Sequence, residues 1–309
     1  MTPSLPSQAD LAVAVVGDLM VDIVVTPSEP LVTGSDAAAK IVTSPGGSGA
    51  NVAAWLKETG VNVAMVGVVG CDDAGAAQVT ALSARGVATM VRPCPSRATG
   101  TAVAIIDSAN ERTFLTDRGA NEMLEARDIP THMPGHLHVS GYSIIGPGST
   151  EAACHALRAA LESGSTTSVD ASSTGPLARL GSQAWFELTR DVTICFANFD
   201  EGAALTGYSE PLEIARSLSR RYLHAVLKAG ALGSWWASGE EDFHVPAVDV
   251  EAVVNTVGAG DAFAAGYLAQ WLRNGDCRAA LEEGSRIAAR ALAMPGGRLE
   301  PASSTPKPA

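Results

Sequence analysis

Asp261 stands in NTVGAGDAF (255–263), directly in front of the apolar run AFAAGYLAQWL. Phe263, Tyr267 and Leu268 fall at helical spacing, so Gly258, Ala259 and Gly260 belong to a turn that enters a helix. Glycines there let backbone N–H groups point into a concavity, and the positive end of the helix dipole adds to them, which makes an anion hole. A carboxylate at the rim of such a hole repels phosphate oxygens. It becomes useful if it accepts the proton of a second substrate's hydroxyl while a phosphoryl group is held nearby. Asp is also a good N-cap, so a capped helix after a glycine turn fits the same residues. The chain contains no G-x4-GK-[ST], which excludes a Walker-A nucleotide site.

Four further stretches place polar residues where chemistry is feasible. In SPGGSGANVAAWLKETG (44–60), Gly46, Gly47 and Gly49 permit close backbone approach, and Asn51 offers a donor and an acceptor that suit sugar hydroxyls. The same loop also reads as a capped glycine turn, and GGSGAN lacks the full dinucleotide fingerprint. Asp22 in GDLMVDIVV follows a buried run, at the end where open α/β sheets bind ligands, although a turn acid is commonly just solvated. Asn198 and Glu201 in NFDE could share one hydrated magnesium ion, or simply cap a helix. Lys228, Gly230 and Gly233 in LKAGALGSWW end another run, where a β-turn is the plain alternative. His132, His136 and His138 lead into a strand without a nearby Cys and read as structural.

The elements that must position these residues follow from hydropathy. LAVAVVG (11–17), NVAMVGVVG (62–70), HLHVSG (136–141), TTSVDAS (166–172), DVTICFAN (191–198) and HAVLKAG (224–230) are apolar runs typical of buried parallel strands. Helical stretches alternate with them. ANVAAWLKETG stops at Gly60, and STEAACHALRAALESG starts on Ser149 or Thr150 and stops at Gly164. This alternation predicts an α/β layer fold with a largely parallel sheet. Residues 18–45 and 88–117 break the rhythm with short strand patterns, three of them in the second segment (ATMVRP, TGTAVAIID, ERTFLTD), and are expected to meet as a small secondary sheet. The body is then 1–17, 46–87 and 118–300, and the Pro/Ser-rich tail 301–309 is expected to be disordered.

Composition narrows the partners. A hydrophobic share of 46% over 309 residues supports a large core. The net charge of -12 argues against nucleic acid and anionic membranes as partners. Five scattered Cys without a CxxC, and an N-terminus without a basic segment, lead to the expectation of a cytoplasmic protein with reduced thiols.

The order of the pieces is more specific than any one of them. GDxxxD, PGGxGAN opening a helix, GxxGxDxxG (Gly67, Gly70, Asp72, Gly75), NERTF and RGAN, NxxE, GxxG and TxGAGDxF follow one another from about Val13 to Gly297. In this the chain resembles the ribokinase-like, PfkB-type carbohydrate kinases. The resemblance implies a three-layer α/β/α fold with a mostly parallel central sheet and a small β-sheet lid over the sugar, often used for homodimer formation. It implies transfer of the γ-phosphoryl group of ATP, with Mg2+, to a hydroxyl of a small carbohydrate, usually an exocyclic CH2OH. Asp261 would be the base and Gly258, Ala259 and Gly260 the anion hole. Asp22, Gly46, Gly47, Asn51 and Glu111 would hold the acceptor. Asn198 and Glu201 would organise magnesium, and Lys228, Gly230, Gly233 and Val257 would line the nucleotide site. K+ would bind near Asn255 and Val257. Two departures matter. Asn255 replaces the usual acid and puts K+ activation in question, and Met20 stands where ribokinases carry an Asn, which weakens ribose as acceptor and brings other sugars or a nucleoside forward. A non-catalytic sugar-binding protein is the alternative from another class, and the intact GAG and Asp261 argue against it.

Overall fold

The structure is a computed structural model that describes residues 12–106, 112–254, 256–294 and 297. Glu111, Asn255 and the tail 301–309 lie outside the described residues.

The large sheet has nine strands. In chain order they are β1 (Val13–Val16), β4 (Val63–Gly70), β5 (Ala88–Cys94), β8 (His136–Ser140), β9 (Thr166–Asp170), β10 (Ile194–Asn198), β11 (His224–Lys228), β12 (Ser234–Ser238) and β13 (Glu241–Val245). The spatial order is β13-β12-β11-β10-β9-β8-β1-β4-β5. Every pairing from β5 to β11 is parallel, and β12 and β13 add an antiparallel edge. All eight residues of β4 are buried, as expected of a strand covered on both faces.

Strand periodicity divides the core in two. Ala14, Val16, Leu137, Val139, Cys195 and Ala197 face a layer formed by α4 (Thr150–Glu162), α5 (Thr174–Leu180), α6 (Ser182–Leu188), α7 (Phe199–Thr206) and α8 (Pro211–Ser219). Val13, Val15, Met65, Ile194 and Phe196 face α1 (Ser48–Glu58), α2 (Asp73–Ser83), α9 (Ala259–Asn274) and α10 (Cys277–Leu292). The short α3 (Gly141–Ile145) follows β8. Gly60 and Gly164, at φ +88° and +75°, lie just past α1 and α4, where the sequence placed the helix stops.

The small sheet contains β2 (Met20–Pro27), β3 (Ala39–Gly46), β6 (Gly100–Ile106) and β7 (Arg112–Asp117) in the order β3-β2-β6-β7. Two separated insertions therefore do meet. One boundary moves, however. The strand read in ATMVRP is β5, which pairs in parallel with β4 in the large sheet, so the second insertion supplies only β6 and β7 to the lid. The physical reason is that Ala88 to Cys94 directly follows α2, and a strand–helix–strand crossover returns to the same sheet.

The lid is pinned where it leaves the body. Asn121 accepts from the Leu19 N–H at 2.9 Å and donates to the Leu19 carbonyl at 3.0 Å. Asp72 accepts from Gly75 N, from Thr99 N at 2.8 Å and from the Thr99 hydroxyl at 2.5 Å, just ahead of β6. Asp72, just past β4, thus ties the start of α2 to the entry of β6.

Candidate active site

The chain runs from β1 outward to β4 and β5, then returns to the other flank of β1 to lay down β8 to β11. That reversal opens a crevice at the carboxyl ends of the strands. Asp170, Asn198 and Lys228 are the last residues of β9, β10 and β11. Asp18 sits two residues beyond the end of β1.

Asp261 occupies the first turn of α9. The N-cap position is Gly258 at φ +78°, and Asp261 does not cap its own helix. Its Oδ1 accepts from the Ser48 hydroxyl at 2.9 Å and its Oδ2 from Asn51 Nδ2 at 2.9 Å. Both donors belong to the first turn of α1, so two helix N-termini converge on one carboxylate. Gly17 and Gly49 let α1 start directly against the end of β1, since a Cβ on Gly17 would lie 2.7 Å from the Cα of Gly49. The Oδ1 of Asn51 is buried and has no partner among the described residues. Burial pushes the Asp261 carboxyl up to about 7. The nearby Asp170 adds to the rise, while Asn51, Ser48 and Lys228 oppose it.

Lys228 Nζ donates to Asp170 Oδ2 at 2.5 Å; the Asp170 side chain is buried and that of Lys228 largely so. A Cβ on Gly260 would lie 3.3 Å from Lys228 Nζ, which puts the ammonium beside the N-terminal turn of α9. The paired carboxylates keep Lys228 charged despite its burial: its pKa is raised, with desolvation pulling down against Asp170 and Glu201.

Asn198 and Glu201 form a reciprocal cap on α7. Asn198 Oδ1 accepts from Glu201 N, and Glu201 accepts from Asn198 N and Nδ2, each at 2.8 Å. The capping alternative is therefore realised, without removing the carboxylate from the crevice. Burial and the charge of Asp170 raise the Glu201 carboxyl up to about 7.

The other sequence candidates are distributed around this centre. Asp22 is on β2 of the lid, beside Gly46, and not at the end of β1; Asp18 holds that place and pairs with Arg118 at 2.8 Å. Arg118 also donates to the Tyr142 carbonyl. Gly47, at φ +95°, turns the chain from β3 into α1. Gly230 and Gly233 flank the single 3-10 turn between β11 and β12. Val257 lies in the turn ahead of α9. His136 and His138 are core residues whose rings share the Ser168 hydroxyl at 2.8 Å, and burial holds both near a pKa of about 3. Among the described residues no cluster of three His, Cys, Asp or Glu could hold a metal. Sequence reasoning missed Ser48, Asp170 and the Asp18–Arg118 pair. Asp170 carried the same signal as Asp22, an acid closing an apolar run, whereas nothing in the sequence marks Ser48.

A half-buried carboxylate at a helix N-terminus, a lysine beside the same turn and a four-stranded lid built from two insertions are thus brought to one crevice. By sequence comparison, the pfkB family carbohydrate kinase profile covers residues 10–303, and the chain belongs to this family. It is 33% identical to the ATP-dependent ribose-1-phosphate kinase of Halopiger xanaduensis over 262 residues, 84% of this chain and 83% of that protein. Among solved structures it is similar to adenosine kinase from Sinorhizobium meliloti, with a TM-score of 0.86 and 25% identity over 94% of this chain and 96% of the other. It is also similar to aminoimidazole riboside kinase from Salmonella enterica complexed with aminoimidazole riboside and an ATP analog, with a TM-score of 0.76 and 26% identity over 94% and 96% of the two chains. The fold is ribokinase-like, and the protein is a kinase. No helix among the described residues is long and apolar enough to cross a membrane.

Proposed function

We propose that the protein transfers the γ-phosphoryl group of ATP to an exocyclic CH2OH of a small sugar or sugar derivative, with Asp261 as the general base. The observation that carries this reading is the setting of Asp261. It is half-buried in the first turn of α9, both oxygens are held by α1, and its carboxyl is raised to a value suited to proton transfer near neutral pH. The acceptor oxygen bonds to phosphorus as the bond to the ADP oxygen breaks, and the acceptor's proton passes to Asp261. In this reading the N–H groups of Gly258, Ala259 and Gly260 would meet the transferring group, the Ala259 N–H giving up its long 3.4 Å contact with the Thr256 carbonyl, and the Oδ1 of Asn51, without a partner among the described residues, would accept from a sugar hydroxyl. Asp22, Gly46, Gly47 and Glu111 would complete acceptor binding. Gly230, Gly233 and Val257 would line the nucleotide site.

Magnesium takes oxygen ligands and keeps several waters, binding one or two carboxylates plus substrate phosphates. Glu201, a buried carboxyl held up by the neighbouring charge of Asp170, fits such a hydrated ion, with Asn198 beside it. Held there, the ion would supply positive charge to offset that of the ATP phosphates during transfer. K+ near Asn255 and Val257 stays part of the proposal.

A nucleoside or other riboside is the second reading, favoured by the lid. Register places Ser44, Asp22, Ala102 and Thr116 in one row across the sheet, and Val42, Val24, Ala104 and Phe114 in the next row on the same face. A hydroxyl-binding row followed, about 7 Å along the strands, by an apolar row with an aromatic ring suits a sugar bearing a flat apolar substituent. The opposite face carries Val21, Ile23, Val25, Ile41, Val103, Ile105 and Leu115, and would pair with a second copy of the chain.

The deciding experiment is ADP release with Mg2+ and ATP, with and without K+, across pentoses, hexoses, ribose 1-phosphate, adenosine and aminoimidazole riboside. One strong acceptor is expected, and Asp261→Asn abolishes its turnover. Turnover that survives Asp261→Asn overturns the base assignment. Silence with every acceptor by a protein that binds sugar tightly would favour the non-catalytic alternative.

A further inference from the structure

The Asp170–Lys228 pair has a setting that a simple ion pair does not need. Asp170 ends β9, and its Oδ1 accepts from Ser172 N at 3.2 Å while Oδ2 takes Lys228. Ser172 adopts φ +70°, a region that non-glycine residues seldom occupy. The Ser172 hydroxyl donates to the Asp170 carbonyl at 3.1 Å. Gly141, at the start of α3, packs against this turn with no room for a side chain: a Cβ there would lie 2.9 Å from Ser172 Oγ and 3.0 Å from the Ala171 carbonyl oxygen. The carboxylate is thus fixed from its own turn and from α3. Lys228 is fixed by the end of β11, and its ammonium lies beside Gly260. Strong backbone constraint around one acid, directed at one lysine, at the mouth of an anion hole, indicates a positioned group.

We propose that Asp170 is a positioning residue that holds the Lys228 ammonium at the N-terminus of α9, so that Lys228 meets the transferring phosphoryl group together with the backbone of Gly258 to Gly260. This rests on the kinase reading above and gives Lys228 a role in the transfer beyond lining the nucleotide site. During the reaction the bond from phosphorus to the ADP oxygen breaks, the acceptor oxygen bonds to phosphorus and its proton goes to Asp261. Lys228 keeps its own proton throughout and supplies charge to the equatorial oxygens. Asp170 prevents the lysine from turning instead to Asp261 or Glu201, the other carboxylates in the crevice.

The test uses the full chain with Lys228→Met, Asp170→Asn and Asp170→Glu, each checked for folding by circular dichroism and thermal melting. Calorimetry with Mg2+ compares ADP with a non-hydrolysable ATP analogue and needs no acceptor. Wild type is expected to bind the analogue more tightly than ADP, and Lys228→Met to lose that difference, whatever it does to ADP binding itself. With the identified acceptor, Lys228→Met is expected to lower kcat about 100-fold or more, and Asp170→Asn roughly 10-fold or more, with little change in acceptor KM. Asp170→Glu restores part of the loss. The acid limb of kcat/KM adds a readout that packing damage would not mimic. Removing the Asp170 charge eases ionisation of Asp261 and moves the limb down, while removing Lys228 moves it up. If wild type binds neither nucleotide, the kinase reading itself fails. If wild type discriminates and folded Lys228→Met keeps the discrimination, the role of Lys228 falls alone. If Asp170→Asn leaves kcat within twofold, or the limb does not move, the positioning role of Asp170 falls. Should Asp170→Asn fail to fold, Asp170→Glu decides: a partial loss of discrimination and of kcat with a retained fold supports positioning, and wild-type values of both overturn it.

Discussion

At the scale of single residues, Asp261 shows how one carboxyl can be held ready for proton transfer. Burial raises it to about 7, whereas the donors Ser48 and Asn51 stabilise its charged form. The base works only when ionised, so kcat/KM should rise with pH up to about 7 and level off above it. Ser48→Ala removes one donor to the charged form, so the acid limb is expected to move to higher pH, measured across pH 5 to 9 with the identified acceptor. A limb that stays in place would mean that Ser48 only packs. The sign for stability is opposite to the usual carboxylate case. With the folded value above the unfolded one, the native state binds the extra proton between about pH 4 and 7, and this group's contribution to stability falls as pH rises through that window.

At the scale of elements, the site depends on two helices starting at nearly the same point. Glycine at position 258 is required twice. Its φ is +78°, and a Cβ would meet the backbone of Gly297, whose Cα would lie 2.5 Å away. Gly297 is itself tied to α1, since Trp55 Nε1 donates to its carbonyl at 3.1 Å. Gly258→Ala should therefore cost about 1–3 kcal/mol in denaturant unfolding and reduce kcat, because the proposed anion hole and base both sit at the start of α9. An unchanged kcat in the folded variant would show that the turn tolerates a side chain. This element was largely legible beforehand. A glycine turn entering an apolar helix can be read from NTVGAGDAF. That Asp261 would look across to α1 instead of capping α9 could not be, because the 213-residue separation from Ser48 leaves no local trace.

At the scale of the whole molecule, both faces of the lid carry apolar residues and the monomer leaves both open: Val42 and Phe114, on the face with Asp22, are 41% and 53% exposed. Covering the opposite face with a second copy would remove Ile41 and Leu115, now 62% and 57% exposed, from water. Light scattering should accordingly give twice the chain mass, and Ile41→Lys with Leu115→Lys should return it to one; a monomeric wild type would exclude pairing through the lid. The large sheet was readable as a series of apolar runs, because strands buried on both faces must be apolar throughout. The origin of β5 was less so, since its sequence resembles the lid strands and only the crossover through α2 returns it to the main sheet.

The sequence by itself determined the layer architecture and the glycine turn that enters α9, since each depends on periodicity or on a local turn that neighbouring residues specify. Tertiary structure alone decided which side chains meet. It brought Ser48 and Asn51 onto Asp261, turned Lys228 to Asp170 beside Gly260, and put Asp18 where Asp22 was expected. Those encounters arise at the carboxyl ends of strands far apart in the chain, where the reversal of strand order opens the crevice, and the burial that tunes their charges exists only once the layers have closed.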